Sequence, residues 1–81
     1  SVAFYNALSY MYVGKYEKAI ALLRSDGIAE SRYSQQAKWY LALALLESGN
    51  KGAATEIISL IAKDQQHYEN DEALELLRQL E

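Results

Sequence analysis

The apolar residues of this chain recur at three- and four-residue intervals, the spacing of helices that turn one side to a core. Phe4, Ala7, Leu8 and Met11 share one side of a helix predicted over residues 1–13. Gly14 ends it, because glycine takes a left-handed backbone without a side-chain penalty. A second helix is predicted from about Lys15 to Ser25, with Ala19, Leu22 and Leu23 inward and an Asp26-Gly27 turn closing it. Ser31 or Ser34 can cap a third helix that runs to Ser48, and Gly49-Asn50 repeats the earlier stop. A fourth helix, about Gly52 to Lys63, turns Ala54, Ile57, Ile58 and Ile61 to one side. Its β-branched residues lower intrinsic helicity, so packing must hold it. Residues 64–69 read as polar linker, and Asn70 or Asp71 starts a fifth helix whose acids sit near its positive N-terminal end.

The pattern occurs twice. Shifting the chain by 35 positions pairs Phe4 with Trp39, Tyr5 with Tyr40, Ala7 with Ala42, Leu8 with Leu43 and Met11 with Leu46. It also pairs Gly14 with Gly49, Ala19 with Ala54, Leu22 with Ile57, Leu23 with Ile58 and Tyr33 with Tyr68. Six of these ten pairs are identities and the rest stay aromatic or aliphatic, so one unit is duplicated. A partial third copy projects Trp39, Leu41, Ala42 and Leu45 onto Leu74, Leu76, Leu77 and Leu80. Short glycine connections make neighbouring helices antiparallel hairpins. Ala7, Ala42, Ala19 and Ala54 let the paired helices approach closely, and Leu22, Leu23, Ile57 and Ile58 fill the space between units. The expected fold is all-α: a right-handed α-α superhelix of two antiparallel hairpins and a closing fifth helix. Repeat 1 covers about residues 1–33, repeat 2 about 34–68 and the capping helix about 70–81.

Composition narrows the function. Apolar residues make up 51% and charged residues 23% of the 81 positions, the mix of a globular domain. No cysteine is present, which removes disulfides and thiolate metal sites. The longest aliphatic run, Leu41–Leu46, is far short of the roughly 20 residues of a membrane span, so no direct membrane insertion is expected. Residues 1–63 carry seven bases against five acids, whereas residues 64–81 carry Arg78 against six acids, for a net charge of -3. That balance gives nucleic acid no footprint.

Catalytic and metal constellations are not convincing. His67, the sole histidine, lies among Asp64, Glu69 and Asp71 and reads as part of a solvated loop. Glu69, Asp71, Glu72 and Glu75 lack the spacing of a calcium loop, and the glycines form no phosphate loop. The reading is of a non-enzymatic chain with no cofactor and no metal.

The early aromatics, the small residue after them, the glycine at the hairpin and the run Gly14-Lys15-Tyr16-Glu17-Lys18-Ala19-Ile20 together resemble the tetratricopeptide repeat. The resemblance covers about residues 1–68. In the second copy Gly49 and Ala54 match, but Lys51 stands where an aromatic is usual, both units lack the customary proline, and each is one residue longer than standard. The resemblance implies a scaffold that binds a peptide or protein segment on a concave face lined by the first helix of each unit. Carried over by position, that face holds Phe4, Leu8, Met11 and Tyr12, then Trp39, Leu43, Leu46 and Glu47, then Leu74 and Arg78. It lacks the Lys and Asn with which members grip a carboxylate, so acidic chaperone tails are disfavoured. For Phe4 and Trp39 the plainer reading, that they belong to the core, is favoured over the groove. Bacterial proteins with such short repeat tails are often membrane-anchored with the repeats soluble beside the membrane, and the location is left open between the cytoplasm and the soluble part of an anchored protein.

Two other readings remain. One is architectural: exposed repeat ends packing on the rest of a larger chain or on another copy, for which the uncapped helix start at Ser1 is a hint. The other is a pentatricopeptide-like RNA reader, whose unit has the same length; acidic balance and apolar inner positions argue against it.

Overall fold

The computed structural model describes residues 2–81, and among these every regular element is helical. The helices are α1 (Val2–Tyr12), α2 (Tyr16–Leu23), α3 (Asp26–Ala29), α4 (Ser34–Glu47), α5 (Lys51–Ala62) and α6 (Asn70–Leu80). Packing runs along the chain: α1 on α2, α2 on α4, α4 on α5, α5 on α6, with α3 wedged against α2 and α4. The all-α hairpin class is therefore as expected. α4 is central, touching α1, α2, α3 and α5, and it is apolar nearly all round as such a position requires. α6 packs mainly on α5 and keeps one apolar and one acidic side.

The duplication is visible in backbone atoms. Gly14 and Gly49 have φ of +81° and +89°. The Gly14 N–H donates to the Met11 carbonyl at 3.1 Å and the Lys15 N–H to the Tyr10 carbonyl at 2.8 Å; Gly49 to Leu46 and Asn50 to Leu45 give the same two lengths. Both hairpins thus end their first helix in one left-handed glycine motif that satisfies its last carbonyls. The next residues, Lys15 and Asn50, share φ/ψ near -91°/67° and -94°/62° and launch α2 and α5 alike.

Two local expectations need correction. The second helix lies within one or two residues of its expected span: α2 stops at Leu23, and Ser25 is extended, with its hydroxyl donating to the Leu22 carbonyl at 2.6 Å. Asp26-Gly27 is not the turn expected to close it, since both residues belong to the one-turn helix α3. The reason is Ile28, which is almost fully buried against Phe4, Ala7, Leu23 and Ala37; folding the turn into α3 delivers it there. Finally, no side-chain cap bond opens α4. Ser31 accepts from the Tyr33 N–H at 3.0 Å and donates to the Ile28 carbonyl, tying α3 to the start of α4, while Ser34 is already helical.

The core has two connected parts. Phe4, Ala7, Leu23, Ile28 and Ala37 close the first hairpin onto α4, and Ile20, Trp39, Ala42, Ala44, Leu45, Ala54, Ile58, Ile61 and Ala73 form the second. Met11 and Leu41 pack against both.

The shared glycine motif makes a prediction about sign. Gly14→Ala and Gly49→Ala should each cost about 1–2 kcal/mol, the penalty of a left-handed backbone with a β-carbon. Gly52→Ala, inside α5 with open space where a β-carbon would stand, should instead stabilise by about 0.5 kcal/mol. Urea unfolding of the three variants checks this; equal effects at all three positions would refute it.

Candidate interaction surface

The ten positions proposed for a concave face divide into three groups. Phe4 and Trp39 are core, at 7% and 8% exposure. The Phe4 ring stacks on Tyr33 at 5.0 Å between centroids and meets Tyr40 edge-on at 6.1 Å, which fixes the link between α1 and α4. Leu8, Met11, Leu43 and Leu46 are half-buried against the two core clusters. Tyr12, Glu47, Leu74 and Arg78 are exposed, Tyr12 by 92%. Arg78 pairs with Glu75 at 3.5 Å one helical turn away in solvent, a contact of little energetic weight. The two rings that anchor the groove reading are thus used internally, and half-buried aliphatics are what that face retains.

The structure places a better-formed depression elsewhere. A pocket of about 430 Å³ is lined by Leu41 and Lys38 from α4, by Ile57, Leu60 and Ile61 from α5, and by Asp64 and His67 from the link after α5. None of the ten groove positions contributes to it. On α4 at about 100° per residue, Leu41 lies roughly 120–160° round from Leu43, Leu46 and Glu47, so the pocket opens largely on the other side of the helix. Its walls are mostly aliphatic, and Leu60 stands 68% exposed at the edge. Lys38 and Asp64, both exposed, bring one charge of each sign to its lining.

His67 is the wall residue that sequence reading misplaced. It is not solvated: its ring is 5% exposed and stacks on Tyr68 at 5.1 Å. Nε2 lies 3.1 Å from the Gln35 carbonyl oxygen in the first turn of α4, and Nδ1 accepts from the Glu69 N–H at 3.0 Å. Burial is tolerated because both nitrogens find backbone partners. Asn70 holds the other end of the link, donating through Nδ2 to the carbonyls of Ile61 and Ala62 at 3.0 Å each. Asn70 is the first residue of α6, as expected, and its side chain closes the open carbonyl end of α5. Partial burial pushes the Tyr68 hydroxyl above the usual phenol range, with Tyr40 and Glu69 adding to it. At the other hairpin, the Arg32 guanidinium donates to the Tyr33 hydroxyl at 3.1 Å and holds that phenol below its usual range.

A second apolar area lies on α1. Val2, Tyr5, Tyr12 and Val13 are all more than half exposed, and no residue from 2 to 13 is charged. Their neighbours Asn6 and Ser9 stand where the second unit has Leu41 and Ala44. Among the described residues no group of His, Asp and Glu is arranged to hold a metal ion, and no helix is long and apolar enough to cross a membrane.

One signal in the sequence did point to the pocket: Leu60 falls outside the inward set of Ala54, Ile57, Ile58 and Ile61, and an aliphatic side chain out of register asks for an explanation. His67 offered none, since its partners are backbone groups of Gln35 and Glu69. For Trp39 the burial decides the expected outcome. Trp39→Ala should cost about 3–5 kcal/mol in chemical unfolding, as for a core ring; a loss below about 1 kcal/mol would return it to a binding face. No protein-family model, curated protein or solved structure matches this chain.

Proposed function

We propose that this chain is a non-catalytic protein-interaction module of tetratricopeptide-like hairpins, which binds a peptide or protein segment through apolar contacts. The observation that carries the reading is the α4–α5 pocket, whose aliphatic walls and opposite charges in the lining suit one large apolar side chain presented by a polypeptide. Two matching hairpins support it, since they supply a rigid frame on which such a pocket keeps its shape. This moves the proposed contact from the first-helix face largely to the other side of α4. Selection from a displayed library of random peptides should enrich sequences with a shared aliphatic or aromatic anchor. Leu60→Glu should weaken those binders at least tenfold, about 1.4 kcal/mol, while changing stability by no more than about 0.5 kcal/mol because the side chain is exposed. Binders indifferent to Leu60→Glu, or no enrichment at all, would remove the support.

The architectural reading is favoured by one feature, the uncharged outer side of α1 with Val2, Tyr5, Tyr12 and Val13 in solvent. Such a side promotes association unless something covers it. Asn6 and Ser9 within it make it less apolar than its counterpart on α4. Sedimentation across a hundredfold concentration range should show weak association that Tyr5→Glu abolishes; a strictly monomeric chain at millimolar concentration would count against this reading.

A further inference from the structure

We infer that His67 is a proton-sensitive latch on the α4–α5 pocket: a second proton on its ring releases the 64–69 link from its closed arrangement and alters the pocket wall. The effect on binding rests on the pocket reading above; the latch itself does not. A carbonyl oxygen has no proton to give, so Nε2 must donate to Gln35, and an amide N–H must donate to Nδ1, so Nδ1 must be bare. Only one tautomer of the neutral ring satisfies both contacts. A proton taken from solvent onto Nδ1 sets N–H against N–H at 3.0 Å, and the bond to Glu69 is lost.

Charged groups surround the ring without restoring that bond. From α4 comes Lys38, in the pocket wall; Tyr40 reaches the neighbourhood through Tyr68. The link itself supplies Asp64 in the pocket wall, Tyr68 stacked on the ring, and Glu69, whose backbone N–H meets Nδ1. α5 contributes the uncharged Ile57, Leu60 and Ile61 to the wall and ends beside Lys63, and α6 carries Asp71 and Glu72 in its first turn. Whichever of these groups the charged ring faces, a proton on Nδ1 takes away the acceptor of the Glu69 N–H. Asn70 bounds the motion, because its amide does not titrate and its bonds to Ile61 and Ala62 persist. Acid therefore loosens the link while α6 stays docked, and it turns a neutral part of the pocket wall positive.

The test uses amide hydrogen exchange and ring C–H shifts of the isotopically labelled protein from about pH 8 to about pH 5, the range over which histidine serves as a proton switch. Benzene titrations followed at the Ile57 and Ile61 methyls report the pocket. Protection of the Glu69 amide is expected to fall at least tenfold with the same midpoint as the His67 ring, while α4 and α5 amides hold. Benzene affinity is expected to fall at least threefold over the same span. His67→Gln, which cannot titrate, is expected to abolish both responses. Unchanged Glu69 protection, or the same response in His67→Gln, overturns the latch. Release of Glu69 with unchanged benzene affinity overturns its coupling to the pocket. Benzene binding at neither pH removes the pocket reading itself, and Glu69 protection in the wild-type chain then decides the latch alone.

Discussion

Close approach of neighbouring helices at alanine is the constraint on which the fold depends. Ala7, Ala19, Ala42 and Ala54 are completely buried, and they occupy equivalent places in the two hairpins. A side chain as small as a methyl group allows neighbouring helices to approach closely, so larger side chains beside it can interlock instead of holding the helices apart. Ala44 and Ala73 extend the device to the α2–α4 and α5–α6 neighbourhoods and are equally buried. The bulk then comes from few residues: Ile28 and Ile58 are the largest fully enclosed side chains, one in each part of the core. A small chain that concentrates its burial in this way has little slack, and the paired left-handed glycines matter because each ends the first helix of its hairpin in the same way.

What could be read from the chain was what repeats in it. Helices α1, α2, α4, α5 and α6 fall within one or two residues of expectation, because three- and four-residue apolar spacing and glycine stops are local signals. The inward positions Ala7, Ala19, Leu23, Ala42, Ala54, Ile58 and Ile61 are buried as their register requires. Misreadings gathered where local chemistry and burial compete. Asp26-Gly27 has the composition of a turn, yet Ile28 two residues from Asp26 has a buried site to reach, and the backbone folds into α3 to reach it. His67 sits among polar residues and is nonetheless enclosed, because the groups that satisfy it are main-chain atoms that no side-chain pattern reveals. The candidate site suffered similarly: position in a unit cannot tell whether Trp39 faces a partner or its own hairpin, and the answer came from Ile20, Ala54 and Ile58 in the same cluster.

The unlike parts of the two units are as informative as the like ones. Each pocket position has a counterpart 35 residues earlier: Lys38 and Ala3, Leu41 and Asn6, Ile57 and Leu22, Leu60 and Ser25, Ile61 and Asp26, Asp64 and Ala29, His67 and Arg32. Only Ile57 keeps the chemical character of its counterpart. The frame residues behave oppositely, with Ala, Gly and Leu held in place across both units. Ser25 explains much of the difference, since it ends α2 early, whereas Leu60 lets α5 run on through Ala62 and carry Ile61 past the point where α2 stops. In the first unit the chain uses its freed length to bury Ile28; in the second the longer helix leaves its last turn standing over α4, with the His67 link closing the end. One hairpin has spent its irregular segment on stability, and the other has kept a cleft. Duplication therefore accounts for the frame, and the departures from it, concentrated at residues 38, 41, 60, 61, 64 and 67, account for the pocket.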